Sequence, residues 1–181
     1  MNLTHLHLDN TWTLFLDRDG VINERVVGDY VKEVDAFVFT PNALQAIQKL
    51  SALVGKTIVV TNQQGIGKGL YTHDALAQVH SHMLHHVTNA GGKIDAVFYA
   101  PHLATENNVL RKPNIGMPLQ AQAQFPEINF AKSIMVGDSL SDMEMGRNIG
   151  AVCIWVGTDV IDTQWYDYAF KSLADFAACE F

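Results

Sequence analysis

Five short, unbroken apolar runs constrain this chain more than any other feature. They are Leu14-Phe15-Leu16, Ile58-Val59-Val60, Ala96-Val97-Phe98-Tyr99, Ile134-Met135-Val136 and Val152 to Val156. Each is too short for a buried helix, and they are rich in β-branched residues. Their apolar character is continuous rather than alternating, as expected of strands covered on both faces. Helical patterns separate them. Thr40-Pro41 reads as an N-cap with proline at the first helical position, followed by Leu44, Ile47 and Leu50 at helical spacing. Thr72 can cap a second helix carrying Leu76, Val79, Met83 and Val87, with Gly91-Gly92 ending it. A third helix is expected from about Ile115 to Phe125. A fourth is expected to open on the capping-box pattern Ser141-Asp142-Met143-Glu144 and stop at Gly150. A short last helix is expected within Ser172 to Ala178. Strands alternating with helices imply an α/β fold with three layers, a parallel central sheet carrying helices on both faces.

At 181 residues the chain fits one domain spanning 1–181, with 48% hydrophobic residues to supply a core. The net charge of −7 leaves no electrostatic footprint for nucleic acid. Two cysteines, Cys153 and Cys179, cannot build a disulfide framework and read as small buried thiols. No secretory pattern opens the sequence and no run reaches the length of a membrane helix, so no membrane partner and a cytoplasmic location are the expectation. Nothing in the residues fixes the oligomeric state, and a monomer is the working assumption.

The chemistry lies in the polar residues at the ends of the apolar runs. The first run ends in Asp17-Arg18-Asp19-Gly20, the second in Thr61-Asn62-Gln63-Gln64-Gly65. The fourth ends in Gly137-Asp138-Ser139, with Asp142 close behind. The third leads through a loop to Arg111-Lys112-Pro113. If the runs are parallel strands, these groups meet at the carboxyl edge of the sheet, where such folds bind ligands. Few, hard oxygen donors favour Mg²⁺, which shares its shell with a substrate phosphate. Asp17 can then attack phosphorus, while Asp19 protonates the leaving oxygen and later deprotonates water. Gly20 permits a sharp turn near the phosphate. Thr61 and Asn62 can donate hydrogen bonds to it, Lys112 can act as a point charge, and Arg111 can grip a second anionic or hydroxyl-rich part of the substrate. A DxD pair alone carries little, because acidic pairs are common in loops. Four polar sets at the ends of four apolar runs carry much more.

In that order and form the sets resemble the haloacid dehalogenase (HAD) superfamily of phosphatases. Asp17-Arg18-Asp19-Gly20-Val21-Ile22-Asn23 is similar to its first motif, Thr61-Asn62 to the second, Lys112 to the third and Gly137 to Asp142 to the fourth. The resemblance implies a Rossmann-like HAD fold with Asp17 as nucleophile, Asp19 as acid and base, and Mg²⁺ held by Asp17, Asp138 and the main-chain carbonyl of Asp19. It adds Arg18, Gly20, Gln63 and Gln64 to the phosphate and substrate contacts, with Ser139, Asp142 and Tyr30 in support. The segments Thr61 to Gly69 and Arg111 to Met117 are similar to those of the histidinol-phosphatase and heptose bisphosphatase subfamily, as is the Gly28 to Val31 stretch. That subfamily carries no large cap domain and acts on small phosphorylated metabolites. The expected reaction is Mg²⁺-dependent hydrolysis of a heptose 1,7-bisphosphate, with histidinol phosphate or a broader range of phosphomonoesters as alternatives. A catalytically silent sugar-phosphate-binding module is the non-enzyme alternative, and the complete motif set counts against it.

One departure stands out. Relatives of this type carry a zinc loop of the form CPH…CxCRKP, whereas here the positions read Ala100-Pro101-His102 and Asn108-Val109-Leu110-Arg111. A single histidine cannot hold tetrahedral zinc. The expectation is no structural Zn²⁺ and a loop ordered by packing of Leu103, Val109 and Leu110. His82 and His86 stand one helical turn apart but read as a polar face. Lys68, in the glycine-rich stretch, is a candidate substrate contact. Trp155, Trp165 and Tyr166 read as packing residues.

Overall fold

The computed structural model describes residues 1–159 and 161–181. Its centre is a six-stranded sheet in the order β3-β2-β1-β4-β5-β6, every pairing parallel. The strands are β1 (Thr13–Leu16), β2 (Lys56–Asn62), β3 (Ala96–Ala100), β4 (Ser133–Gly137), β5 (Val152–Val156) and β6 (Tyr168–Phe170). The helices are α1 (Ala43–Leu53), α2 (His73–Asn89), α3 (Gly116–Gln124), α4 (Leu140–Ile149) and α5 (Leu173–Ala177). The five apolar runs are the first five strands. The sixth, Tyr168-Ala169-Phe170, escapes sequence reading because it is three residues long and only partly buried at the sheet edge.

Alternation along the strands sends side chains to two separate cores. On one face Leu14, Leu16, Val59, Val136 and Ile154 pack with Ile47 and Leu50 of α1, Val79 and Met83 of α2, and Phe176 of α5. On the other, Phe15, Ile58, Val60 and Met135 pack with Met117 and Ala121 of α3 and Met143 and Met145 of α4. Phe15 is wholly enclosed. Truncating such a residue to alanine costs about 3–5 kcal/mol. The three-layer α/β arrangement follows from these two apolar faces.

Helix starts depart from expectation in two places. α1 is capped by Asn42 in a left-handed conformation, not by Thr40. Thr40 turns its hydroxyl to the carbonyls of Val21 and Ile22, tying the loop after β1 to the body. The capping box of α4 lies two residues earlier than the sequence pattern, between Ser139 and Asp142. Elsewhere the signals hold: the Thr72 hydroxyl accepts from the Ala75 amide, Ser172 does the same for Asp175, and Gly150 ends α4 at φ 76°. Both cysteines are buried and unpaired. Trp155 is buried, with Trp165 and Tyr166 packed against its core.

The loop after β3 is ordered only in part by the side chains expected of it. Val109 is 69% exposed, although Leu110 does pack on the core. Asn108 organises the turn instead. Its Oδ1 accepts from the Leu110 amide at 2.9 Å, and its carbonyl accepts from the Arg111 amide at 3.0 Å and from Asn114 Nδ2 at 2.9 Å. The Val109 carbonyl accepts from the Gly116 amide at the start of α3. No helix among the described residues is long and apolar enough to cross a membrane.

Candidate active site

β1 sits between β2 and β4, with Leu16 in register with both Val59 and Val136. The residues just past those positions are therefore forced together. Asp17 leaves β1 with its amide held by the Val136 carbonyl at 2.9 Å. Lys112 reaches across from the β3–α3 loop and is almost wholly buried. Its Nζ donates to Asp17 Oδ1 at 2.6 Å and to the Val60 carbonyl at 2.9 Å, and it lies 2.6 Å from Asp142 Oδ1. Asn62 fixes the lysine's main chain from both sides: its Oδ1 accepts from the Lys112 amide at 3.0 Å and its Nδ2 donates to the Lys112 carbonyl at 3.2 Å.

Asp138 comes directly after β4, and one oxygen each of Asp17, Asp138 and Asp142 lie within 4.8 Å of one another. One Asp138 oxygen, Oδ1, is buried without a hydrogen-bond partner among the described residues, and the other is 3.4 Å from Arg25. Such an orphaned anionic oxygen among carboxylates is where a divalent cation belongs. Two glycines make this crowding feasible. Gly20 has φ 91°, and a Cβ there would fall 1.9 Å from Asp138 Oδ2. A Cβ on Gly137 would fall 2.2 Å from the Asp142 Cβ.

The charges do not balance within the cluster. Burial and the charge of Asp142 push the Asp17 carboxyl up to about 8 against the pull of Lys112, with Asp138 and Asp19 adding to the rise. Burial and Asp142 likewise raise Asp138 to about 6, opposed by Arg25 and Lys112. Burial alone would strip the proton from Lys112, but Asp142 and Asp17 hold it firmly protonated. Asp19 goes the other way. Burial favours its neutral form, yet the Arg18 charge and hydrogen bonds from Arg18, Asn23 and Gln63 keep its carboxyl below the ordinary range.

A crevice of about 180 Å³ opens over these groups. Asp17, Asp19, Thr61, Asn62, Gln64, Lys112 and Ser139 line it, with Tyr30 and Arg111 above. A second hollow of about 360 Å³ shares Asp19, Arg25, Tyr30, Asn62 and Gln64 and extends to Gly28, Asp29 and Lys68. The first suits a phosphoryl group and the second a small polar body attached to it. Two larger hollows, along α2 and beside α3, gather no comparable set of charges.

Two expected contacts do not face this crevice. Arg18 has no exposed surface and turns into the body of the protein. Gln63 is 1% exposed, with Nε2 donating to Asp19 Oδ2 at 2.8 Å and to Thr61 Oγ1 at 2.9 Å. Both sit behind Asp19 rather than in front of it. Conversely, Arg25 and Ser141 line the crevice although the sequence singles out neither as a contact. Arg25 belongs to no recognisable motif and only its position after β1 could have marked it, whereas Ser141 lies within the fourth motif and reads there only as a helix cap. Lys68 lies in the outer hollow, donating to the Tyr30 hydroxyl at 3.0 Å. The rings of His82 and His86 lie 4.4 Å apart, tilted by 54°, with edge contacts to Phe37 and Phe39.

A HAD-hydrolase-like family model matches residues 109–176. The D-glycero-alpha-D-manno-heptose-1,7-bisphosphate 7-phosphatase of Mycobacterium tuberculosis is 42% identical over 140 residues, 77% of this chain and 74% of that protein. The chain is a HAD-like hydrolase of the heptose bisphosphatase subfamily. The D-glycero-beta-D-manno-heptose-1,7-bisphosphate 7-phosphatase of Yersinia pestis is 34% identical to this hydrolase, covering 90% of the chain and 91% of that protein. The crystal structure of D,D-heptose 1,7-bisphosphate phosphatase from B. bronchiseptica, complexed with magnesium and phosphate, superposes with a TM-score of 0.82 at 29% identity. The match covers 92% of this chain and 96% of that one. The hydrolase is thus an enzyme of the phosphatase class, built on the HAD fold.

Proposed function

We propose that this hydrolase removes the 7-phosphate from a D-glycero-D-manno-heptose 1,7-bisphosphate, using Mg²⁺ and a covalent aspartyl-phosphate on Asp17. The observation that carries the reading is Asp17 itself. It is a buried carboxylate with one oxygen fixed by Lys112 and the second without a hydrogen bond among the described residues, at the floor of a phosphate-sized crevice. Asp17, Asp138 and the main-chain carbonyl of Asp19 would hold Mg²⁺, which supplies the positive charge that lets a carboxylate approach a phosphate dianion.

In the first step an Asp17 oxygen bonds to phosphorus, the bond from phosphorus to the sugar oxygen breaks, and Asp19, which must first take up a proton from solvent against the pull of Arg18, gives that oxygen the proton. In the second step water attacks the same phosphorus, Asp19 takes its proton, and the bond to Asp17 breaks to free inorganic phosphate. Lys112 offsets the charge on Asp17 throughout. Thr61 and Asn62 donate to phosphoryl oxygens. Lys68 and Arg25 line the outer hollow, where the remaining phosphate and hydroxyls of a bisphosphate would lie, and Arg111 lines the crevice beside it. The relatives' names support the heptose as that body.

The same reading takes 1–181 as a single catalytic domain in the cytoplasm, with no zinc in the loop after β3. Stoichiometric zinc in metal analysis of the purified protein would overturn that last point. The substrate is tested by phosphate release with Mg²⁺ on both anomers of heptose bisphosphate, fructose 1,6-bisphosphate, histidinol phosphate and nucleotides. The highest kcat/KM is expected on a heptose bisphosphate, with ³¹P NMR showing loss of the 7-phosphate. A preference for histidinol phosphate would move the enzyme to the other branch of the subfamily, and no turnover at all would favour a binding module.

A further inference from the structure

A charged chain of contacts runs behind Asp19 into α2. Arg18 is wholly buried, and one of its guanidinium nitrogens, Nη2, spans both Asp19 oxygens at 2.8 and 2.9 Å. The other, Nη1, lies 3.1 Å from Nε2 of His80, a residue 8% exposed and 62 positions away on α2. Arginine can only donate, so His80 Nε2 must accept, which makes the imidazole neutral with its proton on Nδ1. Burial and the Arg18 charge agree, bringing His80 down to about 3. On the opposite side Gln63 donates to Asp19 Oδ2, and the Tyr71 hydroxyl donates to Gln63 Oε1. Nothing in the crevice requires these residues.

We propose that His80 is a positioning residue for catalysis: by accepting from Arg18 it fixes the guanidinium, and the guanidinium fixes the Asp19 carboxyl at the angle needed for proton transfer. The alternative is that α2 merely covers the sheet at this point. Two facts count against simple covering. The chain from His80 to Asp19 is continuous, and among the described residues Arg18 Nε is buried with no partner, so its hydrogen bonds there run to His80 and Asp19 alone. Without His80 the guanidinium loses one of its two anchors, and Asp19 is left to Asn23, Gln63 and a less constrained Arg18.

The inference rests on the phosphatase reading above, and the leaving group separates the two. Expulsion of a sugar alkoxide needs the Asp19 proton, whereas expulsion of p-nitrophenolate does not. The parameter kcat/KM reports the steps through transfer to Asp17, before water attacks. His80→Phe keeps the aromatic volume and removes the acceptor. It is expected to lower kcat/KM on heptose bisphosphate about tenfold or more while changing that on p-nitrophenyl phosphate less than about twofold. His80→Gln, which returns an acceptor near the Nε2 position, is expected to recover most of the loss. An ¹⁵N spectrum of the wild type is expected to show the neutral Nδ1–H tautomer. Equal losses on both substrates, no loss on either, or failure of the glutamine variant to recover would each reject a positioning role, even with the wild type active. A wild type inactive on both substrates would instead reject the phosphatase reading, and this inference with it. Should His80→Phe not fold, His80→Leu removes the same acceptor and is read by the same ratio, and an unchanged ratio rejects the proposal.

Discussion

At the scale of single residues, the cluster around Asp17 holds more negative charge than its one lysine offsets. The carboxylates of Asp17, Asp138 and Asp142 share one buried lysine, and burial raises the cost of Asp17 and Asp138. Asp17→Asn removes one of those charges while keeping an oxygen for Lys112. Turnover is expected to fall on the order of 10⁴-fold or more, as for loss of other covalent nucleophiles. The metal-free melting temperature is expected to stay level or rise, because a repelling carboxylate is gone. A variant with near-normal turnover would end the covalent assignment, and one that melts well below wild type would end the repulsion argument. Sequence reading reached Asp17, Asp19, Asp138 and Lys112 because each sits just past an apolar run or ends a recognisable loop. It placed Arg18 and Gln63 in front of the substrate because motif membership says nothing of direction. Arg18 follows the end of β1 and turns into the body of the protein, so it reaches Asp19 from behind, away from the crevice. His80 gave no local signal, since its partner Arg18 is distant in sequence and lies past the end of a strand.

Among the elements, the N-terminus of α4 carries the finest tolerance. The Ser139 amide donates to Asp142 Oδ2 at 3.1 Å, and the same Asp142 lies against Lys112 through its other oxygen. One carboxylate therefore caps a helix and anchors the site lysine. Ser139→Ala is expected to cost about 0.5–2 kcal/mol in chemical denaturation, in line with loss of an N-cap hydroxyl. Because Asp142 loosens with it, kcat is expected to fall as well, and a stability loss with unchanged kcat would separate the two roles. The sequence pattern put this box at Ser141, two residues late. Both serines precede acidic residues at the same spacing, and only the geometry of the Gly137 turn, where no Cβ fits against Asp142, decides between them. Thr40-Pro41 misled for a similar reason. The threonine hydroxyl had a stronger claim on it from the loop carbonyls of Val21 and Ile22 than from a helix. The fold class survived these shifts because two apolar faces determine it, and no single cap does.

At the scale of the whole molecule, stability and metal binding are tied through protons. Asp17 at about 8 and Asp138 at about 6 both lie above an unfolded aspartate. From these two groups the folded chain holds more protons than the unfolded one, and His80, held neutral, offsets only one of them below the ordinary histidine range, so the stability of the metal-free protein falls as pH rises. Mg²⁺ competes with those same protons. The melting temperature of metal-free protein is expected to be higher near about pH 5 than near about pH 8, and the increase on adding Mg²⁺ is expected to be larger at the higher pH. Equal magnesium effects at both would remove the acidic cluster as the binding site. The sheet order has a consequence of another kind. β1 is the first strand in the chain and lies in the middle of the sheet, paired with β2 on one side and with β4, more than a hundred residues later, on the other. During synthesis from the N-terminus, β1 can find β2 early, but its second edge stays open until Ser133 to Gly137 emerge. A nascent chain stopped before that point presents an unpaired apolar edge one residue from Asp17, and it is expected to aggregate or be degraded rather than accumulate as a folded piece.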